Sequence, residues 1–272
     1  RTTESDYSVP HVRDELRFVH RHDLMQNTAR DTLTVRNNVN QEALPMRRLG
    51  SFLPGEVVGG SGVHWSGHTW RWTDEEFKIR TLYEERYGKK FIPEDMTIQD
   101  WGITYAELEP YYVRAEWEMG ISGMRIDSPF VAPMTKDYPV PPVPLKASGA
   151  LMQTGAAKLG LSVVRGPLAV ISQNYQGRSA CVNCGMCSGF GCHVKARSSS
   201  AVTMLPLAEK TGRCEIRVRS YVHEITVDST GRCTGVAYFD AQKRVVRQRA
   251  KAVILSANGT ESARLLLLSK SQ

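Results

Sequence analysis

A mixed α/β chain, with helices and antiparallel strands in succession, is the fold class predicted for these 272 residues. Three observations predict it. Capping boxes at Thr73-x-x-Glu76 and Thr104-x-x-Glu107 start helices in the first half. From Arg213 onward the pattern changes to short alternating strands separated by turn residues. Near the end, the apolar run Ala252 to Ser256 turns at Ala257-Asn258-Gly259 into a helix, a strand–turn–helix junction of the kind that closes over a nucleotide.

Taken in order, residues 1 to 45 read as extended loop with one short helix around Asp14 to His22. Thr73 to Tyr87 is predicted helical. A second helix starts at Thr104, and Pro110 breaks it or opens the next turn. Leu108, Tyr112, Ala115 and Met119 recur at spacings of four, three and four, one helical face. Trp101, Tyr105, Tyr111 and Trp117 are expected to pack in the core. The prolines between Pro129 and Pro144 predict an extended surface connection. A helix from about Lys146 to Leu159 follows, ended by Gly160, and a short one spans Val202 to Glu209. Strands are expected at Glu215–Arg219, Tyr221–Asp228, Cys233–Asp240 and Arg244–Arg249, then the buried parallel strand Ala252–Ser256. Cys214 and Cys233 read as small buried hydrophobes on neighbouring strands.

Composition bounds the function. Hydrophobic content of 41% and charged content of 23% allow a sizeable core. No apolar run approaches the roughly 20 residues of a membrane-spanning helix. The net charge of +7 is dispersed, and its densest part, Lys243 to Arg249, interleaves arginine with valine as a solvated strand face does. Nucleic acid is therefore not an expected partner. The chain begins at Arg1 and stops within an apolar helix, so it reads as an internal fragment.

Two stretches carry chemistry. In Gly55 to Trp65, glycines at 59, 60 and 62 let backbone amides point into one concavity, where a phosphate or a flavin edge fits. His64 and Trp65 set a nucleophilic imidazole and a large aromatic beside it. The bland alternative is a tight turn. In Ser179 to Cys192, four of the six cysteines, Cys181, Cys184, Cys187 and Cys192, follow a Cys-x2-Cys-x2-Cys-x4-Cys spacing. Thiolates so close can converge if the backbone curls around a centre. Cys-x2-Cys makes a strained disulfide ring, and the repeated short spacing favours iron–sulfur ligation over a zinc ribbon. Zinc and local disulfides stay open beside it.

These pieces, with Arg30-Asp31-Thr32-Leu33, Glu107 to Tyr112 and Ser256 to Leu266, resemble the glucose–methanol–choline (GMC) oxidoreductases. Within that family the chain is similar to the FAD-containing large subunits of gluconate 2-dehydrogenase and related membrane-bound sugar dehydrogenases. The resemblance implies a partial FAD-binding Rossmann-like domain with an antiparallel β-hairpin layer, plus part of a helical substrate-side region. It divides the chain into a flavin-loop segment (1–75), a helical lid segment (76–170), a cysteine segment (171–200) and the β-layer with its return strand and helix (201–272). Gly59, Gly60, Ser61 and Gly62 would line the pyrophosphate and flavin. Val222 would meet the adenine through its backbone, and Ala257 and Asn258 would pass the ribose and phosphates. His64 would either bond the flavin covalently or only touch it.

The implied function is oxidation of a CH–OH group of a sugar, sugar acid or alcohol. Electrons would leave through an iron–sulfur cluster to a cytochrome c subunit, with a small accessory subunit also in the assembly. Membrane attachment would come through partners, at the periplasmic face of a bacterial inner membrane. An oxygen-using oxidase with structural cysteines, or a flavin-free iron–sulfur carrier, are the rivals. No catalytic base is identifiable, because the C-terminal histidine pair, or His/Asn pair, of the family is absent from the chain; the Gly-x-Gly-x-x-Gly turn that would hold the pyrophosphate is absent too. His193 stands after Cys192 where such relatives carry proline, and Glu261-Ser262 stands where many members carry Ser-Pro.

Overall fold

The computed structural model describes residues 34–36, 40–45, 54–94 and 96–269. The helix expected near Asp14 to His22 and the Arg30 to Leu33 motif lie outside these. The described chain divides into two compact units, one running to Arg213 and the other starting at Cys214.

The first unit holds a two-residue hairpin, β1 (Thr34–Val35) against β2 (Leu44–Pro45), and helices α1 (Asp74–Phe77), α2 (Ile79–Tyr87), α3 (Tyr105–Met119), α4 (Ala147–Ala157) and α5 (Met204–Lys210). Both expected capping boxes form. The first does not open one continuous helix: Lys78, at φ −123°, separates α1 from α2. Pro110 sits inside α3 without ending it, giving up one backbone bond in a helix that its side chains hold in place.

Those side chains correct the expected face of α3. The fully buried positions are Tyr105, Glu109 and Glu116, whereas Leu108, Tyr112 and Met119 are half-buried and Ala115 is exposed. The apolar periodicity missed Glu109 and Glu116 because these innermost residues are charged. Arg71 reaches in to neutralise both, with Nε to Glu116 Oε1 at 2.7 Å, Nη2 to Oε2 at 2.6 Å, and Nη1 to Glu109 Oε1 at 2.9 Å. Arg71 Nη1 also donates to the Tyr105 hydroxyl, and Thr135 donates to Glu109 from both its amide and its hydroxyl. Around this charge cluster pack Phe77, Tyr105 and Ala132, backed by Ile103, Leu108 and Tyr112. Of the four aromatics expected inside, Tyr105 is buried and Trp117 half-buried beneath Lys136, but Trp101 and Tyr111 are exposed. α4 ends close to expectation, with Gly160 at φ 69°, yet buries none of its residues.

The centre of this unit is not regular secondary structure. Extended segments around residues 67–69, 122–123, 168–171 and 196–198 are joined by isolated bridges: Ser122 and Leu168 exchange backbone bonds of 2.8 and 2.9 Å, Ala169 N donates to Gly67 O, and Ser198 N to Ala169 O. Ile121, Ile171, Val140, Ser122 and Ser198 are each almost fully buried there.

The second unit is an antiparallel meander of β3 (Tyr221–Val227), β4 (Cys233–Phe239) and β5 (Val245–Arg249), followed by α6 (Gly259–Leu268). Ser269 Oγ accepts from Ile225 N and Arg264 donates to the Tyr221 hydroxyl, tying α6 to β3. Two expected strands do not form. Glu215–Arg219 has no ladder among the described residues, and Arg219 turns the chain at φ 51°. Ala252–Ser256 forms no strand among the described residues, and Ile254 is 89% exposed. An apolar run becomes a parallel strand only beside another strand, and no described strand lies beside it. Cys214 is accordingly exposed and off the sheet, and Cys233 is half-buried.

Removing Arg71 leaves two buried carboxylates without their cation, a change that costs about 3–5 kcal/mol. Arg71→Met should lose stability of that size in urea unfolding at neutral pH. Burial pushes the Glu109 carboxyl up, but bonds from Thr135 and Arg71 outweigh it and hold it below the ordinary 4.5. A depressed carboxyl stabilises the fold above its unfolded value and loses that contribution as pH falls through its folded value. The gap between wild type and Arg71→Met should therefore narrow below about pH 4.

Candidate cofactor site

Glycine alone explains how Gly55 to Trp65 folds. Gly59 and Gly60 take consecutive left-handed conformations, φ 97° and 58°, and lead into a 3-10 turn over Gly60–Val63. A Cβ on Gly59 would meet Ala201 Cβ at 2.8 Å and Val63 Cγ1 at 2.9 Å, whereas one on Gly60 would meet nothing within 4 Å. The Ser61 hydroxyl accepts from Gly55 N at 2.9 Å, closing the loop on itself. The amides of Gly60, His64 and Trp65 are spent inside the turn, on Val57 O and Ser61 O. Val57, Val63 and Ala201 pack beneath it.

His64 is buried, and its Nε2 has no hydrogen-bond partner. Burial and the nearby Arg197 charge hold its pKa below the ordinary value, so the imidazole is neutral at physiological pH. Ser199 Oγ, buried opposite Gly62, is likewise without a partner; a Cβ on Gly62 would lie 3.2 Å from Ser199 Cβ. Buried polar atoms are normally satisfied. A glycine cradle with open space above Gly60, an orphaned imidazole nitrogen and an orphaned hydroxyl beside it therefore fit a polar, planar cofactor such as FAD. Trp65 is half-buried, its indole N–H donating to Ser198 O at 2.9 Å.

The cysteine loop lies against this cradle. Gly189 N donates to His64 O at 2.7 Å. The buried Arg197 guanidinium donates to Val63 O on one side and to Phe190 O and Cys187 O on the other. Its backbone N–H points at Cys192 Sγ at 3.4 Å, and Asn183 N–H at Cys181 Sγ at 3.3 Å. All six cysteines are free thiols, so the disulfide reading is not realised. Burial pushes the Cys187 thiol up, Arg197 opposes it, and the three neighbouring cysteines add to the rise. The four sulfurs are not gathered: among the described residues no three His, Cys, Asp or Glu side chains are placed to hold a metal ion. The donor set has the chemistry of an iron–sulfur or zinc site, but the observed geometry does not yet form one.

Val222, Ala257 and Asn258 belong to the second unit. Val222 pairs with Tyr238 through a bulged stretch of β3–β4, and Asn258, at φ 70°, caps α6 by accepting from Glu261 N at 2.9 Å. Residues that the sequence did not single out are Arg197 and Ser199. The run Lys195-Ala196-Arg197-Ser198-Ser199 reads as a polar loop, yet Ala196 to Ser199 are all nearly fully buried.

A glycine-lined cradle with unsatisfied polar atoms, carried by a chain of mixed helices and antiparallel sheet, defines part of an FAD-binding α/β protein. The GMC oxidoreductase family model matches residues 100–271, and the chain belongs to that family. It is 38% identical to the gluconate 2-dehydrogenase flavoprotein of Pantoea cypripedii, over 99% of this chain and 47% of the relative. It is 31% identical to the fructose dehydrogenase large subunit of Gluconobacter japonicus, over 78% of this chain and 36% of the relative. The chain thus spans about half or less of the length of these relatives. A solved structure of formate oxidase from Aspergillus oryzae shares the fold, with a TM-score of 0.55 at 15% identity over 98% of this chain and 41% of that one.

The two left-handed glycines should respond differently to a methyl group. Gly59→Ala adds backbone strain and two close contacts, roughly 2–4 kcal/mol together. Gly60→Ala adds only strain, roughly 1 kcal/mol. Denaturant unfolding of both variants checks the order, which equal losses would refute.

Proposed function

We propose that this chain is part of an FAD-dependent dehydrogenase that oxidises a CH–OH group of a sugar, sugar acid or alcohol. The observation that carries the reading is the orphaned His64 Nε2 beside the Gly59–Gly60 cradle. Bound FAD supplies hydride acceptance from the carbinol carbon. The first unit's residues would hold it: Gly59, Gly60, Ser61 and Gly62 by shape, with His64 and Trp65 at the ring. A neutral His64 has the lone pair that a covalent link to the flavin requires. The gluconate and fructose dehydrogenase relatives support a sugar or sugar acid as substrate.

The segment assignment follows the same reading: flavin loop to residue 75, lid from 76 to 170, cysteine segment from 171 to 200, and β-layer with return helix from 201. Cys181, Cys184, Cys187 and Cys192 are proposed to hold an iron–sulfur cluster, which supplies one-electron carriage toward a cytochrome c type partner. Their short spacing and the two N–H···S bonds support this. The dehydrogenase would work at the periplasmic face of a bacterial inner membrane, attached through a cytochrome c subunit and a small accessory subunit. No helix among the described residues is long and apolar enough to cross a membrane. The ungathered sulfurs favour a second reading, an oxygen-using oxidase in which the cysteines are structural.

The full-length protein should show flavin absorption. After acid precipitation the colour should stay in the pellet, and His64→Ala should move it to the supernatant. Colourless wild-type protein refutes the flavin reading, and colour released from wild type refutes the covalent link.

Cys187→Ser separates the two electron routes. Under the cluster reading, substrate still reduces the flavin at the wild-type rate while cytochrome c reduction falls at least about a hundredfold. An electron paramagnetic resonance signal in wild type that vanishes in the variant completes the test. An unchanged cytochrome rate would sink the relay and favour the oxidase.

A further inference from the structure

The cradle and the cysteine loop meet at one side chain. Arg197 is 2% exposed, and its Nη2 donates to Val63 O, the carbonyl just before His64, and to Phe190 O of the cysteine loop. Its Nη1 donates to Cys187 O, and its main-chain N–H to Cys192 Sγ. Gly189 N donates to His64 O at 2.7 Å beside it, a direct backbone bond between the two loops. Neighbouring Ser198 is bonded to Trp65 Nε1, Arg178 and Met119 O, which fixes the Arg197 backbone.

We propose that Arg197 is a positioning residue that locks the cysteine loop in register with the His64 segment and keeps a fixed positive charge between the two. The inference rests on the flavin reading of the cradle and adds a part that reading does not contain. A planar fork of donors is what allows one side chain to bind carbonyls from two loops at once, and lysine, a point donor, cannot reproduce it. A positive charge in a buried setting favours electron-rich forms of whatever lies beside it. Geometry and charge are thus separable duties of one residue.

The test uses the full-length protein with R197Q, which removes the charge, and R197K, which keeps the charge but not the fork. Iodoacetamide labelling, read for each cysteine by mass spectrometry, reports the lock. Spectroelectrochemical titration of the flavin reports the charge. Loss of the fork should speed labelling of Cys187 and Cys192 about tenfold or more in both variants, with Cys214 and Cys233 unchanged. Loss of charge should lower the flavin midpoint potential in R197Q and leave it at the wild-type value in R197K. The proposal is overturned if labelling of Cys187 and Cys192 stays at the wild-type rate. It is equally overturned if the two variants shift the potential alike, which is what a purely packing role predicts. A full-length protein without flavin removes the flavin reading instead, and labelling alone then decides whether Arg197 locks the loop.

Discussion

A buried guanidinium bonded to main-chain carbonyls holds the centre of the first unit together. Arg197 could reach solvent only by leaving Val63 O, Phe190 O and Cys187 O without their donor. Each bond to a charged group contributes about 1.5–3 kcal/mol, and an abandoned buried carbonyl costs about as much again. The penalty for releasing either loop therefore falls on both. That explains how two glycine-rich loops keep a defined shape against each other: they are tied by polar bonds to one buried side chain.

The same principle recurs at Arg71, with a different consequence. There the partners are side-chain carboxylates, Glu109 and Glu116, on one helix. Bringing all three charges out of water is costly, and the cluster repays this only because Tyr105 and Thr135 satisfy remaining valences. Its gain is orientation. It sets α3 at a fixed rotation with Pro110 inside it, and leaves the carbonyl of Met119 at the helix end for Ser198 and Arg178 to bind. Through those two bonds the charge cluster supports the segment that carries Arg197.

The legibility of this chain in its sequence follows from the same physics. Both capping boxes, the β3–β4–β5 meander and the start of α6 were readable, because local side-chain-to-backbone bonds and turn residues decide them. The glycine cradle was readable because glycine takes two successive left-handed positions at little cost. The apolar run at Ala252–Ser256 misled, since a strand is a property of a pair and its ladder is not written in one segment. The face of α3 misled because apolar periodicity cannot see a buried glutamate whose partner lies 45 positions earlier in the chain. Arg197 and Ser199 were invisible for the same reason: a polar run with small residues looks like solvent-facing loop until the carbonyls it serves are known.

The cysteine loop carries this reasoning furthest. Its backbone is anchored at Gly189, at the carbonyls of Cys187 and Phe190, and at Cys181, whose N–H donates to Ile171 O. Its tip is not: Val182 to Met186, including Cys184, are exposed. Four thiols on a half-anchored loop have lost part of their freedom before any ion arrives. The ordering that remains is confined to a few residues. A metal site formed this way draws on binding energy to finish its own fold, and the less there is to finish, the tighter the ion is held. On the proposed reading, affinity for a cluster is then set as much by the arginine beneath the loop as by the sulfurs on it, since the carbonyls it pins decide how far each thiol has still to travel.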